Sequence, residues 1–322
     1  MKIPMKNILI TSAGQRVKLT QIFMESAKSL GLESKVFTTD LNPRLAPACY
    51  VSDKTFEVCR CTEPHYIEEL MQLCLDNQVG IIIPTIDTEL RVLSDNKEKF
   101  HEHGIFVIAP DSDFVSICRD KRKTIVYMES IGIPMPKAVD IHHPVYPMFA
   151  KPYDGSLSTN THVIRKDEDL TSDILNDPKL IFMEYIDNDF KEFTIDMYYG
   201  RDNEVKEIVP RERIKVRAGE INKGITRKNY IVDFLKQRMG KIPGVVGCLC
   251  LQLFYRESDN KVYGIEINPR FGGGYPLTYY AKANYPEYIL REYFLNQEIE
   301  YTDSWIDNTL MLRYDQEVIS YE

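Results

Sequence analysis

The chain has 322 residues, 43 % of them hydrophobic, and a formal charge of −8. That is enough apolar material for two or three domains with real cores, so disorder is excluded. The acidic balance argues against an extended nucleic-acid-binding face, which needs clustered Lys and Arg to displace counterions.

From Lys6 to about Ala109 short β-rich runs alternate with helical patterns. Asn7–Ser12 reads as a strand, Val17–Leu30 as a helix and Ser34–Asp40 as the next strand. A helix over Tyr66–Asn77, a strand over Gly80–Pro84, a helix over Thr88–Phe100 and a strand over Gly104–Ala109 follow, a βαβ series implying a parallel sheet. Open α/β sheets bind ligands beyond the carboxyl ends of their strands, which points to Ser12–Gly14, Asp40 and Pro84–Asp87. Ser-Ala-Gly-Gln-Arg has one glycine where a dinucleotide fingerprint needs three, so no nicotinamide or flavin role is expected. Asp87 and Glu89 fit equally well as acids in the first turn of a helix. The apolar run Ile8–Ile10 is broken by Thr11 and Ser12; no signal peptide or membrane span is expected, and the expected location is cytoplasmic.

Arg119, Lys121, Arg122 and Lys123 open a helix ending near Gly132, and Ile133-Pro-Met-Pro136 marks a boundary. Tyr146–Lys151 reads as a strand ending in a lysine, and Pro152–Thr159 as a polar Gly/Ser loop. Lys151 with that loop could clamp a polyphosphate through backbone N–H groups and hydroxyls, although an ordinary surface turn explains it too. The glycine spacing is not that of a P-loop. Lys179–Ile186 and Lys191–Asp196 supply two further strands. In the second, Phe193, Ile195 and Met197 face a core while Glu192, Thr194 and Asp196 face a cleft or solvent.

Val209–Arg217 carries Arg211, Arg213, Lys215 and Arg217 at a period of two, either a solvated strand or an anion-recognition strip. Arg211 and Arg213 are the preferred members because a guanidinium grips a carboxylate through two bonds. Gly219–Arg227 continues that cleft or covers it. The apolar run Gly247–Arg256 holds Gln252, and a turn-like Glu-Ser-Asp-Asn leads into Lys261–Arg270. A hairpin would set Gln252 beside Glu266 and Asn268, with Arg270 leaving the same face. Such oxygen donors suit magnesium, although a hairpin with a wet polar face is also consistent. Gly272-Gly-Gly274 lets backbone N–H groups approach an anion, with Gly273 at its centre, or serves only as a turn before the helix starting near Pro276.

Cys59 and Cys61 are too isolated to give four zinc ligands, and the six histidines make no metal set. Seven scattered cysteines suit buried thiols rather than a disulfide framework. Trp305 and Leu310–Leu312 predict a terminal stretch packed back onto the body.

Taken in order, the N-terminal α/β region ending near Pro110, Asp120–Thr124, Lys151-Pro152 with Gly155, Ser156 and Ser158, Met183–Ile186, Glu192–Asp196, Gln252 and Glu266-Ile-Asn-Pro-Arg270 resemble the ATP-grasp superfamily over roughly residues 6–295. The likeness is to its carbamoyl-phosphate-synthase-like group of carboxylate-amine ligases. It implies an α/β chain: a Rossmann-like parallel-sheet domain over 1–111, a small ATP-grasp lobe over 112–187 and a C-terminal lobe with an extension over 188–322. It implies ATP and Mg2+ as cofactors. Lys121 and Lys151 would contact phosphates, the Gly155–Thr159 loop would cover them, and the backbone of Glu184, Tyr185 and Ile186 would read adenine. Glu192 would take the ribose; Glu266, Asn268 and Gln252 the metal; Arg270 the transferring phosphoryl group. Gln252 in place of a carboxylate leaves less charge for a second ion, so one strong and one weaker Mg2+ are expected. The implied reaction activates a carboxylate as an acyl phosphate for attack by an amine. A carbamoyl- or carboxyphosphate-forming or kinase-like enzyme and a nucleotide-binding regulatory protein stand as alternatives. The partners implied are small carboxylate and amine substrates, anionic ones or cell-surface precursors included, without nucleic acid or membrane insertion. A homodimer is compatible with the resemblance, though no residue specifies one.

Overall fold

The computed structural model describes residues 6–155 and 159–321. Its first part runs β1 (Asn7–Thr11), α1 (Val17–Ser29), β2 (Val36–Asp40), β3 (Lys54–Glu57), α2 (Tyr66–Asp76), β4 (Val79–Pro84), α3 (Asp87–Asp95), α4 (Lys97–His101) and β5 (Phe106–Val107). The strands form one parallel sheet in the order β3-β2-β1-β4-β5. β1 and β4 are buried along their whole length, as central strands covered on both faces must be. The expected helix over Thr88–Phe100 is two helices meeting at Asn96, and the expected strand over Gly104–Ala109 shrinks to two residues. The exposed edge strand β3, which lacks an apolar pattern, was not expected.

Next come α5 (Ser112–Arg119) and α6 (Lys121–Ser130), which meet at Asp120. That residue is extended, and its carboxylate accepts the backbone N–H of Arg122 as the N-cap of α6. β6 (Met148–Pro152), β7 (His162–Ile164), α7 (Ser172–Asn176) and β8 (Leu180–Glu184) follow. The strands make a small antiparallel sheet in the order β7-β6-β8. Its core is Met148, Ala150, Ile164, Ile174 and Leu180.

The remainder comprises β9 (Lys191–Tyr199), β10 (Val205–Arg217), β11 (Glu220–Thr226), α8 (Tyr230–Met239), β12 (Gly247–Arg256), β13 (Lys261–Asn268), α9 (Tyr275–Tyr280), α10 (Tyr285–Tyr293) and β14 (Leu310–Leu312). Six antiparallel strands pair in the order β13-β12-β9-β10-β11-β14. One face buries Phe193, Ile195, Met197, Leu249 and Leu251 against Met128 of α6 and Phe234, Leu235 and Met239 of α8. The other contributes Tyr198, Val209, Cys248 and Cys250 to a core shared with Ile8, Ile10 and Ile83 of the first sheet and Phe23 of α1. The first and last sheets are thereby fastened together, and the polar stretch of that second face becomes the floor of a cleft. Trp305 is buried and β14 pairs with β11, so the terminal stretch does pack back.

All seven cysteines are unpaired, and Cys49, Cys74, Cys248 and Cys250 are buried. Among the described residues no helix is long and apolar enough to cross a membrane.

Candidate active site

A cleft of about 890 Å3 is lined by residues of the two antiparallel sheets and by Thr85–Thr88, which follow β4 of the parallel sheet. Its floor follows from strand register. Cys250 faces Asp196, Gln252 faces Thr194 and Phe254 faces Glu192 across β12 and β9, while Gln252 also faces Glu266 of β13. Side chains with a period of two then put Glu192, Thr194, Gln252, Glu266 and Asn268 on one side.

A bulge sharpens this arrangement. Gln252 pairs with Glu266 but Leu253 pairs with Gly264, which leaves Ile265 out of the ladder. The Ile265 carbonyl instead accepts the Lys151 ammonium at 3.3 Å. Glu266 Oε1 accepts from Gln252 Nε2 at 2.9 Å and from Asn268 Nδ2 at 3.0 Å, and Oε2 lies 3.6 Å from Lys121 Nζ. The Lys121 ammonium also donates to the Gly155 carbonyl.

Lys121 thus lies beside the Glu266 carboxylate and Lys151 on the neighbouring carbonyl. Burial pushes Lys151 down to about 8, with Lys121 adding to that and Glu266 opposing it. A buried ammonium this poorly compensated is poised for additional negative charge. Gly155 and Thr159 line the cleft beside these lysines, whereas Ser156 and Ser158 lie outside the described residues. Glu184, Tyr185 and Ile186 line it at the end of β8, and Phe149, Met183 and Phe254 add apolar lining. The Glu184 side chain turns back to accept the Lys137 N–H at 3.1 Å.

The donors around Glu266 fit a hard divalent cation: one carboxylate flanked by two carboxamides, all oxygen-bearing. A half-turn of either amide exchanges its N–H for its carbonyl oxygen. A single carboxylate leaves most of an ion's shell to waters and phosphates.

Arg270 lies just past β13, and both carboxylate oxygens of Asp87 hold its guanidinium, at 2.8 and 2.7 Å. Asp87 opens α3, so the first sheet supplies the support for this cation. Beyond it the cation strip of β10 divides. Arg211, 1 % exposed, pairs with buried Asp196 at 2.7 Å, and its Nε and Nη1 have no hydrogen-bond partner among the described residues. Asp196 is held further by the Cys250 thiol and the Thr278 hydroxyl. Asp196, Cys248 and Cys250 cluster closely enough to suggest a metal, but the guanidinium already fills that role. Arg213 lies 3.0 Å from Glu192 and donates to Thr194 and the Gly219 carbonyl. Burial raises Glu192, with Arg213 opposing. Lys215 and Arg217 are exposed, the latter paired with Asp315, so they do not extend the strip into the cleft. The register shifts at Arg213/Lys215 and Lys215/Val216 mark the change.

Gly219–Arg227 is chiefly strand β11 and carries a residue the sequence did not single out as functional. Glu220 accepts from Arg16 and Arg313, each at 3.0 Å, joining α1's N-terminus to the chain end. A Cβ on Gly273 would fall 1.9 Å from that carboxylate, and one on Gly274 2.2 Å from Arg211 Nη1. The triple glycine therefore lets the backbone lie against both charged groups.

The strand-end expectation for the first sheet holds in part. Thr85, Ile86, Asp87 and Thr88 line the cleft. Asp40 instead accepts the N–H groups of Gly14 and Asn42, and the crevice between β1 and β4 is plugged by buried Glu89, which accepts from Thr11, Ser12 and Thr85.

Residues 8–108 match the family described as PylC-like, N-terminal domain, and residues 176–314 the family described as ATP-grasp in the biosynthetic pathway with Ter operon. Similar solved structures include the biotin carboxylase domain of Hydrogenobacter thermophilus 2-oxoglutarate carboxylase with MgADP, ADP and bicarbonate. It is 15 % identical, with TM-score 0.72 and coverage of 95 % of this chain and 73 % of that one. Biotin carboxylase from Campylobacter jejuni gives 15 %, 0.71, 94 % and 74 % in the same order. N5-carboxyaminoimidazole synthetase from Staphylococcus aureus complexed with ADP gives 16 %, 0.68, 97 % and 81 %. No curated protein matches the sequence. The fold is accordingly α/β, a parallel-sheet domain followed by ATP-grasp lobes.

Proposed function

We propose that this chain, a member of the ATP-grasp superfamily, is an ATP- and Mg2+-dependent carboxylate-amine ligase of the carbamoyl-phosphate-synthase-like group. The observation that carries the reading is the gathering of Lys121 at Glu266 and Lys151 at the carbonyl of Ile265 next to it, with Glu266 flanked by Gln252 and Asn268. In this reading the parts divide near residues 111 and 187. Three of the similar proteins are described with ADP or an ATP analogue, which supports a nucleotide here.

Adenine lies beside the Glu184–Ile186 backbone among the apolar lining residues, and Glu192 meets the ribose. Lys121 and Lys151 neutralise phosphate oxygens, with Gly155 and Thr159 beside them. Glu266, Asn268 and Gln252 would hold Mg2+, which would offset phosphate charge. A substrate carboxylate oxygen attacks the γ-phosphorus, the bond to the β-phosphate oxygen breaks, and ADP leaves. Arg270, kept in place by Asp87, steadies the transferring group. An amine then attacks the acyl carbon and expels phosphate. Arg211, Arg213 and the backbone at Gly273 face the acceptor, which favours an anionic substrate.

A second reading, carboxyphosphate formation, draws on the bicarbonate in the Hydrogenobacter complex. Both are tested by Mg2+-dependent ADP release from the purified chain against pooled carboxylic acids, with and without pooled amines, with Glu266→Ala as control. Release needing one acid and one amine supports ligation. Bicarbonate-dependent release without an amine supports the second reading, and ATP binding with no release under any mixture counts against both.

A further inference from the structure

The segment between β3 and α2 carries a group of side chains that the cleft does not use. The Cys59 sulfur, a ring nitrogen of His65 and a carboxylate oxygen of Glu69 all lie within 4.8 Å of one another. None of the three lines the cleft.

Their convergence has a local cause. His65 stands at the N-cap of α2 but makes no capping bond through its side chain. Glu69 lies one turn further on, its N–H bonded to the His65 carbonyl, so the two side chains share a face of the helix. Tyr66, Ile67 and Leu70 are buried, which anchors the helix against the first sheet. Glu69 also accepts the Cys59 N–H at 3.1 Å and holds the cysteine's backbone over that face. Cys59 packs against the sheet's core beside Phe56 and Cys61, and the bonds Glu63 N–H to Arg60 and Tyr66 N–H to Glu63 close the turn between them.

We propose that Cys59, His65 and Glu69 form a site for a borderline-soft divalent cation of the zinc class, with a fourth position left to water. One sulfur, one nitrogen and one oxygen are the donors zinc takes, whereas a hard ion such as Mg2+ prefers oxygen alone. Tetrahedral zinc with these donors needs ligand atoms roughly 3.3–3.7 Å apart, which atoms already within 4.8 Å of one another reach by rotamer adjustment. Cys59 binds as thiolate, and its proton passes to solvent. The ion fastens the β3–α2 connection to the helix.

Full-length protein stripped of metal with a chelator is titrated with Co2+ and followed by its absorption, with Zn2+ as competitor. The expected result is one Co2+ per chain with a thiolate-to-cobalt charge-transfer band, displaced by Zn2+, and thermal stabilisation by Zn2+. Cys59→Ser abolishes the band. His65→Ala and Glu69→Gln weaken binding by more than about 100-fold, beyond the loss expected for an outer-shell partner. Because His65 is exposed, its variant tests the site without risk to the fold. Cys61→Ser and Glu266→Gln leave the band unchanged; the latter separates this site from the cleft, whose oxygen donors give no thiolate band. Absence of the band in the parent chain, its persistence in Cys59→Ser, or its loss in Cys61→Ser would overturn the assignment.

Discussion

Arg270 and Asp87, 183 residues apart, meet in a two-bond ion pair across which the first sheet's α3 supports the cation at the end of β13. The pair is largely buried, at 16 % and 21 % side-chain exposure, so its geometry is fixed before any substrate arrives. If Arg270 steadies the transferring phosphoryl group, Arg270→Ala lowers kcat for ADP release by about 1,000-fold with little change in ATP affinity. Asp87→Asn keeps the cation but loosens its aim, and about a tenfold loss in kcat is expected. Steady-state kinetics beside direct ATP binding checks both; a Arg270→Ala effect confined to KM would remove Arg270 from the transfer step.

Glu266 is the charged centre of the amide-flanked site. Glu266→Gln should raise the Mg2+ concentration needed for half-maximal ADP release by at least about tenfold and lower the rate by about 100-fold or more. Titrating Mg2+ at saturating ATP separates the two effects. An unchanged Mg2+ requirement would move the metal away from this strand.

Lys151 is expected to give the pH dependence its alkaline limb. Burial lowers it to about 8, so the free protein carries this charge below that pH and loses it above. The protonated form pairs with phosphate, so kcat/KM for ATP falls roughly tenfold per pH unit beyond about 8. Lys151→Arg stays charged and should lack that limb, even at a lower overall rate. The same alkaline fall in the arginine variant would assign it to another group.

The triple glycine is predicted to be a steric requirement. A Cβ at Gly274 would press on Arg211 and Ile221, both buried, and Gly274→Ala should cost about 1–3 kcal/mol in chemical denaturation. At Gly155 the nearest atom to an added Cβ is Pro152 Cβ at 3.1 Å, a far looser fit, and Gly155→Ala should be far milder. Equal effects at the two positions would contradict the backbone-approach argument.

What could be read from the chain divides by range. The β9 alternation and the β12–β13 hairpin were legible because burial and pairing there follow a period of two and a short turn. The same local logic put Gln252 beside Glu266. The bulge at Ile265 was not legible, since nothing in Tyr263-Gly-Ile-Glu266 signals an extra residue. The Asp87 support of Arg270 and the Arg16–Glu220–Arg313 bridge join residues far apart in sequence, and no local pattern selects those partners. His65 gave no sign of a cluster for a different reason, since Cys59 and Glu69 are only six and four residues away. Its nearest donors come from a loop turn and the next turn of a helix, a spacing read as unrelated surface residues until the fold closes it.

Glu207 gives a stability test independent of any substrate. It is fully buried on β10, and burial lifts it from 4.5 to about 8 although the Tyr288 hydroxyl and Lys228 oppose the shift. Raised in the folded state, the carboxyl holds its proton while the unfolded chain has already released one. Stability from this group is therefore complete below about pH 4.5 and drains away as pH rises through about 8, on the order of a few kcal/mol in all. Glu207→Gln cannot ionise, so its unfolding free energy should gain on the parent across pH 5 to about 8 and run parallel to it beyond. Urea denaturation at four or five pH values measures the difference. A gap that stays constant across that window would mean that Glu207 is charged and paired in the folded chain, and the cost of its burial would have to be reassigned to Tyr288 and Lys228, the groups nearest its field.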